Sequence, residues 1–232
     1  MTWLLPLLMF VVLFVCMATL YAEGMWSNAV RLINVVTAAL LATNFFEPVA
    51  RWLDNQLPAG SYAWDFLSIW LLFAALLFAM RAATDTISRV QVRFHKIADQ
   101  IGSGLFSFWI SWVMICFTMM TLHTAPLART FLFGGFQPEQ RMLAVGPDRQ
   151  WLGFVQQLSL GAFRRSVSQA ERQSQRYVFD SNAGESRYAV FDDNADFMRK
   201  YATRREDFAK HLAQTGSILA ATRPGGASPL AK

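Results

Sequence analysis

Cysteine, histidine and charged residues are all scarce in this chain of 232 residues, which has two cysteines, three histidines and 16% charged side chains. Both cysteines, Cys16 and Cys116, fall inside apolar runs, so a structural disulfide is excluded and both are interpreted as small apolar filler. The histidines are far apart, and no glycine-flanked nucleophile turn or phosphate-binding loop occurs. The sequence therefore predicts no catalytic residue, no cofactor and no metal site, and favours a non-enzymatic protein.

Apolar residues are abundant instead, and they are unevenly distributed. Hydrophobic residues make up 54% of the chain, with 20 Phe and 8 Trp, which excludes intrinsic disorder for most of it. They are concentrated in residues 1–128, whereas residues 129–232 are hydrophilic and carry the net charge of +5. We therefore predict an all-α protein with a membrane domain at 1–128 and a hydrophilic C-terminal region at 129–232.

Four apolar stretches in the first part of the chain predict four transmembrane helices. About 20 apolar residues in a helix cross the hydrocarbon core of a bilayer, and the first and fourth stretches are that long. The second and third are shorter, so buried helices or a re-entrant hairpin are alternatives for them. A cleaved signal peptide is the alternative for the first, although Met1-Thr2-Trp3 lacks the basic start of such a peptide. The four predicted spans are residues 3–22, 30–48, 64–80 and 101–122.

Basic residues are concentrated in the connection between the third and fourth stretches, residues 81–100, whereas residues 47–65 carry a single arginine. The basic residues of this third connection are Arg81, Arg89, Arg93 and Lys96. Because Lys and Arg near membrane segments are retained on the cytoplasmic side, we predict that this connection is inside. With four spans, the N-terminus and the C-terminal region then lie outside the cytoplasm.

The third connection also has an apolar helical period. Its apolar side is formed by Ile87, Val90, Phe94, Ile97 and Ile101, and Arg89, Arg93 and Lys96 group on a different side. This pattern is typical of a helix at the cytoplasmic surface, with its cations facing anionic lipid headgroups. An ordinary basic loop is the alternative, since orientation alone accounts for the charges.

Polar side chains within the second span are the candidates for a functional site. Ser27, Arg31 and Asn34 lie on one predicted face, and Asn44, Glu47 and Arg51 lie on another. The functional interpretation is a polar pathway for a substrate or proton, with Arg31, Asn34, Asn44 and Glu47 as candidate residues. The structural interpretation, which we favour, is hydrogen bonding between helices with the charges near the membrane interface.

Small and polar residues recur at the start of the fourth stretch. They are Asp99, Gly102, Ser103, Gly104, Ser107 and Ser111. Small residues at four-residue spacing let two helices approach closely in lipid, so this series predicts a helix-packing face. The contact is either intramolecular or the seam of a homo-oligomer.

The C-terminal region contains two amphipathic patterns. They predict helices near residues 148–160 and 194–214, each with an apolar face for a membrane surface or a partner. The last ten residues, 223–232, are predicted to be disordered.

These features together resemble the colicin V production (CvpA) family, over about residues 3–125. The loop with Glu23-Gly24 and Arg31 resembles the family's short loop containing glycine and arginine. Asp99, followed by small residues at four-residue steps, resembles the Asp-Arg and repeated-glycine start of the family's last helix. The sequence departs from that pattern in having Gln100 where the family often has arginine, and serines where glycines are usual.

The resemblance implies a multipass protein of the bacterial inner membrane, linked to bacteriocin production or export and to envelope homeostasis, with no established catalytic site. The expected partners are the lipid bilayer and either a second copy of the chain or an envelope or export protein, and no nucleic acid. A small membrane transporter or channel component, based on the polar groups of the second span, is the alternative.

Overall fold

Six helices make up most of the chain that the computed structural model describes, which comprises residues 4–57, 62–87, 95–127, 145–160, 165–166, 188–189 and 197–215. The first four are α1 (Leu4–Tyr21), α2 (Met25–Gln56), α3 (Trp64–Ile87) and α4 (Lys96–Thr124). They are followed by α5 (Pro147–Leu160) and α6 (Phe197–Thr215). Between α5 and α6, two-residue strands β1 (Arg165–Ser166) and β2 (Tyr188–Ala189) pair antiparallel.

Three of these helices, α2, α3 and α4, are long and apolar enough to cross a membrane. The apolar part of α1, Leu5–Tyr21, is shorter. All 18 residues of α1 rise about 27 Å at 1.5 Å per residue, close to the thickness of about 30 Å of a hydrocarbon core. The chain is thus predominantly helical with three helices of membrane-spanning length, and a fourth span in α1 stays a prediction.

The helices extend beyond the apolar stretches that predicted them. α2 runs from Met25 to Gln56, past both ends of the predicted span 30–48. The charged residues near both ends of that span are paired, Arg31 with Glu23 and Arg51 with Glu47. A charge with such a partner is compatible with a continuing helix.

The third connection is likewise shorter than the sequence suggested. α3 continues through Ile87 and α4 begins at Lys96, so residues 81–87 and 96–100 belong to the two long helices. A separate surface helix over the whole connection is therefore wrong for these residues. Arg89 and Arg93 lie outside the described residues.

The four long helices pack in the spatial order α1, α4, α2, α3, so that α2 lies between α3 and α4 and α1 lies against α4. Ala38, Ala39 and Ala42 of α2 are fully buried, and such small residues let neighbouring helices approach closely. Aromatic rings fill the space beside them, with the Phe73 and Phe117 centroids 4.8 Å apart. Packing of this kind, rather than hydrophobicity, holds helices together in lipid.

The two ends of the bundle are named here by the segments that lie at them. The loop end contains the turn between α1 and α2, the end of α3 and the start of α4, since Met25 bonds to Asp99 and Asn34 to Thr84. The opposite end, here called the tail end, contains the end of α2, the start of α3 and the end of α4. α5 and α6 contact the bundle toward the tail end.

The C-terminal helices pack on the bundle of their own chain. The Trp151 indole of α5 donates a hydrogen bond to Thr43 Oγ1 at 3.1 Å, and its ring lies 5.7 Å from that of Phe117. In α6, the Tyr201 hydroxyl donates to Asp65 Oδ2 at 3.1 Å. The amphipathic faces predicted near 148–160 and 194–214 thus meet an intramolecular partner.

Candidate functional site

At the loop end, a carboxylate of α4 caps the start of α2. Asp99 Oδ1 accepts a hydrogen bond from the Met25 backbone N–H at 2.9 Å. The preceding residue, Gly24, has φ +86°, a conformation that side-chain-bearing residues rarely adopt, and a Cβ there would meet the Asp99 carboxylate at 3.6 Å. Because the first N–H groups of a helix have no partner within the helix, this contact fixes α2 to α4.

A buried amide joins the same two helices one turn further in. Asn28 has no exposed surface, and its Nδ2 lies 2.8 Å from the Leu20 carbonyl oxygen, 3.0 Å from Ser103 Oγ and 3.1 Å from Ser107 Oγ. Ser103 in turn donates to the Tyr21 carbonyl oxygen at 2.7 Å. Helices α1, α2 and α4 are therefore linked through one polar cluster, here called the Asn28 cluster, of Asn28, Ser103 and Ser107.

The predicted packing face of α4 is an intramolecular contact. Ser103, Ser107 and Ser111 are all at most 2% exposed within the single chain. Gly102 lies against Met25 so closely that an added Cβ would come within 2.1 Å of the Met25 sulfur. The sequence left two alternatives, a contact within the chain or the seam of a homo-oligomer. In the described residues, these small residues form a contact within the chain.

A polar cleft of about 400 Å³ opens between α2 and α3 at the loop end. Its charged lining residues are Glu23, Arg31, Arg81 and Asp85. Arg31 pairs with Glu23, and Arg81 Nε lies 3.7 Å from Asp85 Oδ2. The remaining walls combine the polar Ser27, Asn34 and Thr84 with the apolar Trp26, Val30, Val35 and Leu77.

Asn34 is the most buried polar residue of this cleft, with 4% of its surface exposed. Its Nδ2 donates to Thr84 Oγ1 at 3.0 Å, which ties α2 to α3. Its Oδ1 is buried and has no hydrogen-bond partner among the described residues. This oxygen has almost no accessible surface, so a group bound in the cleft could not reach it without a movement of the side chain.

The second polar face of α2 does not join the cleft. Asn44 Nδ2 donates to the Leu40 carbonyl oxygen of its own helix at 2.9 Å. Glu47 lies toward the tail end, where its Oε1 accepts from Lys200 Nζ at 3.1 Å and its Oε2 from Arg51 at 3.4 Å. The structure thus brings Arg31 and Asn34 together and separates them from Asn44 and Glu47.

Cations of α6 contact the tail end of three bundle helices. Lys200 reaches Glu47 of α2, Arg204 pairs with Asp65 of α3, and Arg205 Nη1 donates to the His123 carbonyl oxygen of α4 at 2.7 Å. Lys200, Arg204 and Arg205 are here called the basic clamp. The Arg204 and Asp65 side chains are each 6% exposed, so this pair is the most shielded of the three contacts.

A second buried pair connects α5 to the end of α4. His123 Nε2 lies 3.0 Å from Asp148 Oδ2, and both residues are almost fully buried. Burial raises the pKa of Asp148, but hydrogen bonding and electrostatic attraction to His123, together with two backbone N–H groups, outweigh it and bring the pKa below its usual value. The carboxylate is consequently an acceptor, and the imidazole donates through Nε2.

Sequence reasoning missed Asn28 and the clamp residues. Asn28 could have been recognised from the sequence, because a buried amide in an apolar helix needs a hydrogen-bond partner, and the Ser103 and Ser107 hydroxyls are its partners. The contacts of Asp65 could not, since its partners Tyr201 and Arg204 lie in the hydrophilic region. Lys96, a predicted lipid contact, is the exposed first residue of α4.

Within the described ranges, no group of three or more His, Cys, Asp or Glu side chains lies close enough to hold a metal ion. The model of a family described as Colicin V production protein matches residues 5–136, more than half of the chain. No curated protein and no solved structure matches.

Proposed function

The chain belongs to the colicin V production protein family, and on this premise we propose that it is a non-enzymatic multipass protein of the bacterial inner membrane. Its proposed role is to support toxin production or export and envelope homeostasis, through contacts with an envelope or export partner. The observation that carries this proposal is that polar residues within the bundle join its helices. Asp99, Asn28 and Asp65 each hold one helix against another, as in a scaffold.

The proposed topology has four spans, with the N-terminus and the C-terminal region outside the cytoplasm. The packing supports an even number of spans, because the start of α1 and the end of α4 lie together and α5 and α6 contact the same end. Leu5 and Met9 of α1, for example, cluster with Ile115 and Met119 of α4. The arginines of the third connection support placing the loop end in the cytoplasm.

Reporter fusions test this topology. A reporter that is active only outside the cytoplasm should be active when fused after Asp54 or Leu160, and inactive when fused after Arg93. The matched measurement is a reporter active only in the cytoplasm, which should give the reverse pattern at the same three positions. Extracytoplasmic activity at Arg93 would invert the proposed orientation, and different sides for Asp54 and Leu160 would exclude it.

A small transporter or channel component is the second candidate, because the cleft places Arg31 and Asn34 in a polar cavity between two membrane-spanning helices. A pathway through α2 would also need Glu47, which lies 13 residues and therefore about 20 Å further along the helix. Glu47 is instead partly exposed and paired with Lys200 and Arg51. The scaffold proposal is favoured for this reason.

Complementation of a deletion strain separates the two candidates. The deletion should impair toxin secretion or raise sensitivity to envelope stress, and the wild-type gene should restore both. Glu47→Gln should complement fully, because it keeps the shape of the side chain and a partly exposed ion pair contributes only about 0–1 kcal/mol. Normal abundance of Glu47→Gln with complete loss of complementation would favour the transporter, and a deletion without either phenotype would contradict the proposed role.

A further inference from the structure

We propose that the cleft between α2 and α3 binds the headgroup of a phospholipid that carries both a phosphate and a primary ammonium group. This assignment goes beyond the scaffold role and is independent of it. It is based on the charges of the cleft and on its position within the bundle.

The charge of the lining selects for a ligand with both signs. The cleft contains two arginines, Arg31 and Arg81, and two carboxylates, Glu23 and Asp85, so it has no net charge. A purely anionic or purely cationic ligand would leave two lining charges facing a group of their own sign. A zwitterion can place its phosphate at a guanidinium, whose donors match phosphate oxygens, and its cation at a carboxylate.

The carboxylates select the cation. Glu23 and Asp85 line the cleft, and their oxygens accept hydrogen bonds. A primary ammonium group has three N–H donors for such acceptors, whereas a quaternary ammonium group has none. The cleft should therefore prefer a phosphoethanolamine headgroup over a phosphocholine headgroup.

The position of the cleft favours a lipid as the source of this headgroup. It lies between two helices of membrane-spanning composition, and its apolar walls include Val30, Val35 and Leu77. Phe78, which follows Leu77, is 77% exposed, so apolar surface suited to an acyl chain continues along α3. A volume of about 400 Å³ is in the range of small-molecule sites.

Native mass spectrometry of the purified full chain tests the proposal. Lipid-depleted protein in detergent is mixed with equal amounts of phosphatidylethanolamine, phosphatidylcholine and phosphatidylglycerol that have identical acyl chains. Wild type should retain phosphatidylethanolamine about three- to tenfold more than the other two, because only its headgroup combines a phosphate with N–H donors for the carboxylates. Equal retention of the three lipids would overturn the proposal.

Two arginines that each pair with an acidic residue four positions away on the same helix provide a matched comparison. Arg81→Gln in the cleft should reduce retention of phosphatidylethanolamine about three- to tenfold. Arg51→Gln, which alters the comparable pair with Glu47 outside the cleft, should behave as wild type. Arg81 is 66% exposed, so unchanged thermal unfolding is expected, and equal effects of the two substitutions would contradict the assignment.

A charge change and a competitor complete the test. Asp85→Asn keeps the size of the side chain but leaves the cleft positive, so retention should shift from phosphatidylethanolamine toward phosphatidylglycerol. Soluble glycerophosphoethanolamine at the same concentration as the lipid should not displace it. An unchanged preference in Asp85→Asn would overturn the site, and displacement by the soluble headgroup would overturn the lipid as its source.

Discussion

Replacing Asp65 with alanine should lower the free energy of unfolding by about 3–5 kcal/mol, the usual effect of removing one partner from a buried ion pair. Asp65 is 4% exposed, pairs with Arg204 and accepts a hydrogen bond from the Tyr201 hydroxyl. Its removal leaves the Arg204 guanidinium buried without this counter-charge. Since these contacts join α3 to α6, we expect α6 to detach from the bundle before the bundle itself unfolds.

Thermal unfolding in detergent and limited proteolysis of α6 measure this effect. Asp207→Ala is the matched control, because Asp207 also pairs with a cation of α6, Lys210, but both side chains are more than half exposed. An exposed pair contributes about 0–1 kcal/mol, so the control should unfold as wild type does. If Asp65→Ala and Asp207→Ala are equally stable and equally resistant to protease, the basic clamp does not hold α6.

Replacing Ser107 with leucine should destabilise the protein by about 3 kcal/mol or more, through overpacking and the loss of a buried hydrogen bond. Ser107 is fully buried, accepts from Asn28 Nδ2 and donates to the Ser103 carbonyl oxygen at 2.6 Å. The larger side chain has to enter the contact between α2 and α4. Loss of folded protein, measured as the monodisperse fraction after extraction, is the expected result.

Gly104→Ala is the control on the same helix. A Cβ at Gly104 would come no closer than 3.7 Å to the Tyr21 ring, an ordinary van der Waals distance. Alanine also favours a helix over glycine by about 0.5–1 kcal/mol, so this variant should be at least as stable as wild type. Wild-type yield and stability of Ser107→Leu would show that the serine face is not packed against α2.

The helical class and the family could be predicted from the sequence because both depend on local patterns. Apolar runs determine where helices form, and the four-residue spacing of Ser103, Ser107 and Ser111 predicted a close contact without reference to any partner. The resemblance to the colicin V production family, drawn from Glu23-Gly24, Arg31 and Asp99, is confirmed by the match over residues 5–136. In the structure, Gly24 lies directly beside Asp99.

Helix ends and long-range partners could not be predicted in the same way. A charge ends an apolar run but need not end a helix, so α2 continues past Glu47 and through Pro48. The partner of Asp65 lies in α6, and no periodicity in either segment relates the two. Only one wall of the cleft could be predicted. The spacing of Ser27, Arg31 and Asn34 put them on one face of α2. The contribution of Arg81 and Thr84 depends on how α3 packs against that face.

The basic clamp also sets the order in which the protein can be completed during synthesis. Tyr201 is 136 residues behind Asp65 in the chain. At about 5–20 residues per second, a ribosome needs on the order of ten seconds to make that interval. Throughout that interval Asp65 has been synthesised but its α6 partners, Tyr201 and Arg204, have not. A chain truncated before α6 therefore lacks the side chains that pair with Asp65 at the tail end.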